Sequence, residues 1–119
     1  MNFKEYLIEK KTPLVYRATK DESLSGITYW GSDLGMVKTF TGIGWKAPIF
    51  SAYLTIRNPY YADADELEYF HLHRNELKKL KSKGYDGVIE RNPPDIEDGY
   101  NWQYIVFDRK QIKLKERIQ

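Results

Sequence analysis

Apolar positions recur along this chain with two different periods, and the switches between them mark its elements. Phe3, Tyr6 and Leu7 fall at helical spacing before Thr12-Pro13, where the proline turns its predecessor away from the α region, so a short N-terminal helix is expected. Leu14 to Thr19 is β-branched and aromatic between Pro13 and the polar Lys20-Asp21-Glu22-Ser23, and reads as a strand. Ile27-Thr28-Tyr29-Trp30 after Gly26 is a second, short strand. Ser32-Asp33 opens a helix that turns Leu34 and Val37 to the core, with Met36 and Phe40 beside them. Thr41 to Trp45 is a loop punctuated by glycine. Ile49 to Ile56 is the clearest strand, with Phe50, Ala52, Leu54 and Ile56 on one face, and Asn58-Pro59 ends it.

Leu67, Phe70, Leu77 and Leu80 share a helical stripe from about Ala64 to Lys83, closed by Gly84. Val88-Ile89 is a short buried strand, and Asn92 to Gly99 an exposed loop around Pro93-Pro94. Trp102 to Phe107 is a strand, and Ile112, Leu114 and Ile118 alternate with basic residues in a last one. The short strands lack the regular helical crossovers of a doubly wound sheet. The expected class is therefore α+β: two small, mainly antiparallel sheets face to face, with the 64–83 helix against one of them.

The chain's 119 residues make room for one domain, residues 1–119. Hydrophobic residues at 41% and charged ones at 30% match ordinary globular usage. Aromatics reach 15%, with ten Tyr and three Trp, a supply that suits a binding cleft as well as a core. Nineteen basic against seventeen acidic residues leave +2, too little to imply nucleic acid by itself. The absence of Cys removes thiolate metal sites and cysteine nucleophiles. No apolar run approaches the roughly 18–20 residues of a membrane span, and the charged MNFKEYLIEKK start is unlike a signal peptide, so the expected compartment is the cytoplasm, with no membrane partner.

Nucleotide-fold fingerprints are missing: there is neither G-x-G-x-x-G nor a phosphate loop ending in Gly-Lys-Ser/Thr. His71 and His73 stand about 200° apart around a helix and cannot chelate one metal from one face. The Lys78-Lys79-Leu80-Lys81-Ser82-Lys83 run complements a helix C-terminus, and equally leaves open a patch for a phosphate backbone. Three features bear on chemistry. Arg17 lies inside an apolar strand, where a cation must be paired or face a cleft. Tyr29-Trp30-Gly31-Ser32-Asp33 sets two rings, a glycine and a hydroxyl at a strand-to-helix junction, fit for an anion or for a plain helix cap. Asn101-Trp102-Gln103 places two amides and an indole at the mouth of an apolar strand.

In this order the segments resemble the ADP-ribosyltransferase fold family, particularly its small phage and mobile-element members. The matching stretches are Val15-Tyr16-Arg17-Ala18, Tyr29-Trp30-Gly31-Ser32-Asp33, Tyr53 to Pro59, Gly84-Tyr85-Asp86-Gly87-Val88-Ile89, and Gln103 to Asp108 with Gln111-Ile112-Lys113. Gly26-Ile27-Thr28-Tyr29-Trp30 is also similar to a stretch of the poly(ADP-ribose) polymerase branch. The resemblance implies NAD⁺ as co-substrate in a cleft between two sheets, and glycosyl transfer of ADP-ribose to a host or partner macromolecule. It assigns catalytic roles to Arg17, Ser32 and Gln103. Arg17 would hold the phosphates and ribose, the Ala18 backbone would read the nicotinamide amide, and Trp30 or Tyr29 would offer an aromatic wall. Ser32 corresponds to the last Ser of the family's Ser-Thr-Ser motif, whose first Ser falls on Trp30.

Gln103 occupies the position where active members carry a Glu, so it keeps a hydrogen bond but supplies no charge. Glu90, Asp95, Glu97 and Asp98 are the carboxylates near it in sequence. Three functions follow: an NAD⁺-dependent mono-ADP-ribosyltransferase, a catalytically inactive member of the fold that binds and inhibits a protein, and, disfavoured by the near-neutral charge, a nucleic-acid-binding module.

Overall fold

The alternation in the strands produces one sheet. A computed structural model describes residues 10–40, 47–91 and 102–118; the helix expected over 3–7 and the loops over 41–45 and 92–99 lie outside the described residues. The strands are β1 (Lys10–Lys11), β2 (Val15–Ala18), β3 (Thr28–Gly31), β4 (Ile49–Ile56), β5 (Pro59–Ala62), β6 (Gly87–Glu90), β7 (Gln103–Val106) and β8 (Ile112–Arg117). The helices are α1 (Leu34–Phe40), α2 (Ala64–Leu72) and α3 (Arg74–Ser82), with a 3₁₀ turn at Arg109–Gln111. β1 and β2 take successive stretches of one edge of β4, β8 takes its other edge, and the order continues β2-β3-β7-β6-β5. Every pairing is antiparallel except β5 with β6.

The α+β class holds, with the expectation of two separate sheets corrected: β3 pairs β7 along all four of its residues, from Thr28↔Val106 to Gly31↔Gln103, and joins both halves into one mixed sheet. That sheet curls. Its inner face buries Val15, Trp30, Phe50, Ala52, Leu54, Ile56, Tyr104 and Val106 in one cluster. Its outer face buries Val88, Ile105 and Phe107 against Leu67 and Phe70 of α2 and Leu77 and Leu80 of α3. Strand β7 is thus covered on both sides, which explains its uninterrupted apolar run.

Two further expectations change. The 64–83 helix breaks at His73, whose ψ of 72° is not helical, so both stripe pairs bury in one cluster on a curved sheet. Asp63 caps α2 by accepting from Glu66 N at 2.9 Å, and Asp33 does the same for α1 from Met36 N at 3.0 Å. Asn58-Pro59 ends β4 but also starts β5, at the far end of the sheet order. A two-residue link can join those positions only if the sheet closes on itself there.

Asp86 and Gln111 make the closure. The Asp86 carboxylate accepts from the backbone N–H groups of Arg57 and Asn58, both at 2.8 Å, and the Asn58 amide donates to Gly84 O at 2.9 Å. Gln111 Oε1 accepts from Phe107 N and Asp108 N, both at 3.0 Å, while its Nε2 donates to Thr55 O at 3.1 Å and Asp86 O at 2.7 Å. One amide thereby ties the ends of β4 and β7 to the start of β6. Gly87 lets the layers meet, since a Cβ there would lie 2.8 Å from Ile105 O and 3.1 Å from Ile56 Cγ2. Gln111→Ala is expected to lower stability by about 2–4 kcal/mol in urea unfolding, because four backbone groups lose their partner. Gln111→Glu should do no better at pH 7, as an ionised carboxylate cannot donate to two carbonyls. Those carbonyls favour its protonated form, so that variant should regain stability as pH falls through the carboxyl range.

Candidate functional site

Sheet order brings together three of the segments singled out in sequence: Arg17 on β2, Tyr29 to Ser32 on and after β3, and Gln103 on β7 are on adjacent strands. β2 and β3 are registered only at Tyr16↔Gly31, and beyond that pair they part. Arg17 and Ala18 lie on the parted stretch of β2, whose other edge stays paired with Phe50 and Ile49. The Arg17 guanidinium crosses the gap and donates from Nη1 to Tyr29 O at 3.0 Å. Its Nε is buried with no partner among the described residues. Burial, then the nearby Arg74 cation, lowers its pKa, and Asp21 opposes them. Asp21 is itself held below the usual carboxylate value by hydrogen bonds from Ser23. Arg17 remains a cation, partly desolvated and forming no ion pair with a described carboxylate.

The two rings of the junction separate. Trp30 is 3% exposed in the inner core opposite Tyr104, and its indole N–H donates to Thr28 Oγ1 at 2.8 Å. That leaves Tyr29 as the ring with surface to offer. His71 of α2 stacks on it with centroids 4.4 Å apart, and the Arg74 guanidinium carbon lies 5.6 Å from its centroid. The Tyr29 hydroxyl is buried without a hydrogen-bond partner among the described residues. Burial raises its pKa, with Arg74 and Arg17 opposing.

A second group forms at the other end of β3. Ser32 N donates to Trp102 O, and Trp102 N donates back to Ser32 Oγ, each at 2.9 Å. This exchange prolongs the β3–β7 ladder by one rung and fixes the Ser32 hydroxyl beside Gln103. Gln103 is half-buried, and its backbone N–H donates to Glu90 Oε1 at 3.1 Å. Glu90 is 2% exposed, on the strand next to Gln103, and is the charge buried deepest among the described residues. Of the four carboxylates near Gln103 in sequence, Asp95, Glu97 and Asp98 lie outside the described residues, and Glu90 is in the site.

Arg17 and Gln103 leave their strands on opposite faces: Arg17 follows the inward Val15 by two, and Gln103 precedes the outward Ile105 by two. Only the gap between β2 and β3 lets the guanidinium reach past its own face. Sequence reading missed His71 and Arg74 as partners of Tyr29; contacts across the sheet between residues so far apart leave no local pattern. No group of three metal-ligating side chains occurs among the described residues, and no helix among them is long and apolar enough to cross a membrane.

Because the Tyr29 hydroxyl is buried without a partner, Tyr29→Phe should leave stability at pH 7 unchanged or raise it by up to about 1 kcal/mol in thermal unfolding. The phenols of Tyr29 and Tyr104 are raised by burial, and that of Tyr60 by its hydrogen bond to Glu66. A raised phenol stabilises the fold fully below the unfolded value near ~10 and loses that contribution as pH climbs through the folded value. Stability should therefore fall above about pH 10, and less steeply in Tyr29→Phe. Compared with protein-family models, curated proteins and solved structures, this chain matches none.

Proposed function

We propose that this protein is an NAD⁺-dependent mono-ADP-ribosyltransferase in which Glu90 contributes the negative charge that Gln103 lacks. One observation carries the reading: the cation of Arg17 on β2, the hydroxyl of Ser32 just after β3 and the amide of Gln103 on β7 belong to neighbouring segments of the sheet, and β2 and β3 part beside the cation. The buried, unpartnered Arg17 Nε and Tyr29 hydroxyl suit a ligand rich in phosphate and ribose oxygens.

The co-substrate supplies a ribosyl carbon whose bond to nicotinamide breaks, the nicotinamide nitrogen keeping the electron pair, while an acceptor nucleophile bonds to that carbon and loses a proton. The chain's residues have the following work. Arg17 grips phosphate with charge-assisted hydrogen bonds from a partly desolvated position, where they are strong. The Ser32 hydroxyl, held by Trp102, and the Gln103 amide orient ribose hydroxyls. Glu90 adds a fixed negative charge beside developing positive charge, a kind of assistance whose loss typically costs ~10²–10³ in rate. The acceptor is a protein or another macromolecule.

Titration calorimetry with NAD⁺ should give binding between micromolar and millimolar, roughly −8 to −4 kcal/mol. Arg17→Met keeps the packed stem and removes the cation, and should weaken binding at least tenfold, about 1.4 kcal/mol, without loss of thermal stability. Transfer of labelled ADP-ribose to lysate proteins should fall by about 10²-fold or more in Glu90→Gln with NAD⁺ affinity retained. Gln103→Glu should bring no gain, because it puts a second carboxylate opposite a buried one. Binding without transfer in every form favours the second reading, an inactive member of the fold that inhibits a protein partner, for which the uncharged Gln103 speaks. No NAD⁺ binding by the unmodified protein refutes both.

A further inference from the structure

The charges of α3 are sorted by face. Glu76 pairs with Lys79 at 3.0 Å on one side, next to a pocket that also contains Asp65 and Glu66. On the other side Arg74, Lys78 and Lys81 follow one another at helical spacing and line a groove of about 670 Å³ whose opposite wall is Ser25 and Gly26 of the β2–β3 loop. Among the described residues no carboxylate lines this groove. The ammonium groups of Lys78 and Lys81 make no hydrogen bond or ion pair among the described residues. Three cations in one groove exceed the +2 of the whole chain, so the near-neutral total conceals a local concentration.

The groove is built rather than incidental. Leu24 accepts a left-handed φ of 52° while its side chain is buried in the inner core, which pins the loop just before Ser25. Gly26 continues the turn at φ 72°. Arg74 ties the helix to the end of the loop by donating to Ile27 O at 3.3 Å. Leu77 and Phe107 lie buried beneath the groove, and half-buried Ile27 gives it apolar surface. From Arg74 to Lys81 the helix rises about 10.5 Å, so the cations form a line along the groove rather than a single pocket for one anion.

We propose that this groove binds the phosphate backbone of a single-stranded nucleic acid, with Arg74, Lys78 and Lys81 each facing one phosphate. Loop hydroxyl and backbone groups supply neutral contacts, and Ile27 offers apolar surface to the sugar or base. The inference does not rest on NAD⁺ binding. Three neutralised phosphates set the salt dependence: log K against log salt should have a slope of about −2.

The test is fluorescence anisotropy with a short labelled oligothymidylate at several salt concentrations. Lys78 and Lys81 are exposed, so Lys78→Gln/Lys81→Gln should fold with an unchanged melting temperature. The proposal expects that variant to bind at least tenfold more weakly at low salt, with a slope near −0.7, while Lys79→Gln/Lys83→Gln, the same charge change on the other face, keeps the affinity. Equal losses in the two double variants would sink the proposal, since they reveal only net charge. So would competition by pyrophosphate at the same phosphate concentration, which points to a small ligand, or by polyglutamate, which points to an acidic protein. Equal affinity for duplex DNA would also overturn it.

Discussion

A single amide side chain holds the sheet in the shape on which everything else depends. Gln111 makes four hydrogen bonds to backbone groups of three different strand ends, and Asp86 adds two more at the same junction. Without this knot, β4 and β5, separated by two residues, could not sit at their places in the sheet order. With it the sheet is curled, its concave side filled by Trp30 and its neighbours and its convex side covered by α2 and α3. The β2–β3 pairing has one registered pair, and Arg17 spans the gap beside it.

This division of labour separates the sequence motifs into two kinds. Asn-Pro after β4, Gly-Tyr-Asp-Gly leading into β6 and Gln-Ile-Lys leading into β8 all belong to one resemblance in sequence, and structurally they are one device. Asn58, Asp86, Gly87 and Gln111 meet at the closure and touch none of the candidate chemistry. Arg17, Ser32 and Gln103 form the other kind. Motifs of architecture and motifs of chemistry look alike in a sequence, because both are polar or glycine residues beside apolar runs.

What was legible followed from local pattern. Period-two alternation placed Leu54 and Ile56 in the core, the 3.6-residue stripe did so for Leu67, and apolar runs did so for Val88, Ile105 and Phe107. The charge in an apolar strand correctly singled out Arg17 as unusual. What escaped was decided by long-range geometry. Alternation along the strand sends Trp30 and Tyr29 to opposite faces, but nothing local says which goes to the core and which to a stack with His71. The break at His73 is equally invisible, since the stripe runs across it without a change of phase. The number of sheets depended on whether β3 pairs with β7, a contact between residues about seventy apart.

The replacement of a charge at position 103 acquires a physical reason from the strand beside it. Glu90 follows and Gln103 precedes the last registered pair of their neighbouring strands, Ile89↔Tyr104, with the Gln103 N–H already donated to the Glu90 carboxylate. A glutamate at 103 would set two carboxylates against each other where one is almost completely out of water, and like charges so placed are unfavourable. An amide avoids that conflict, because it can donate as well as accept and carries no charge. Negative charge at this end of the sheet therefore resides on β6 rather than β7, a displacement of one strand. Arg17, the desolvated cation, stands on β2, separated from Glu90 by β3 and β7. At that separation neither serves as the other's ion-pair partner.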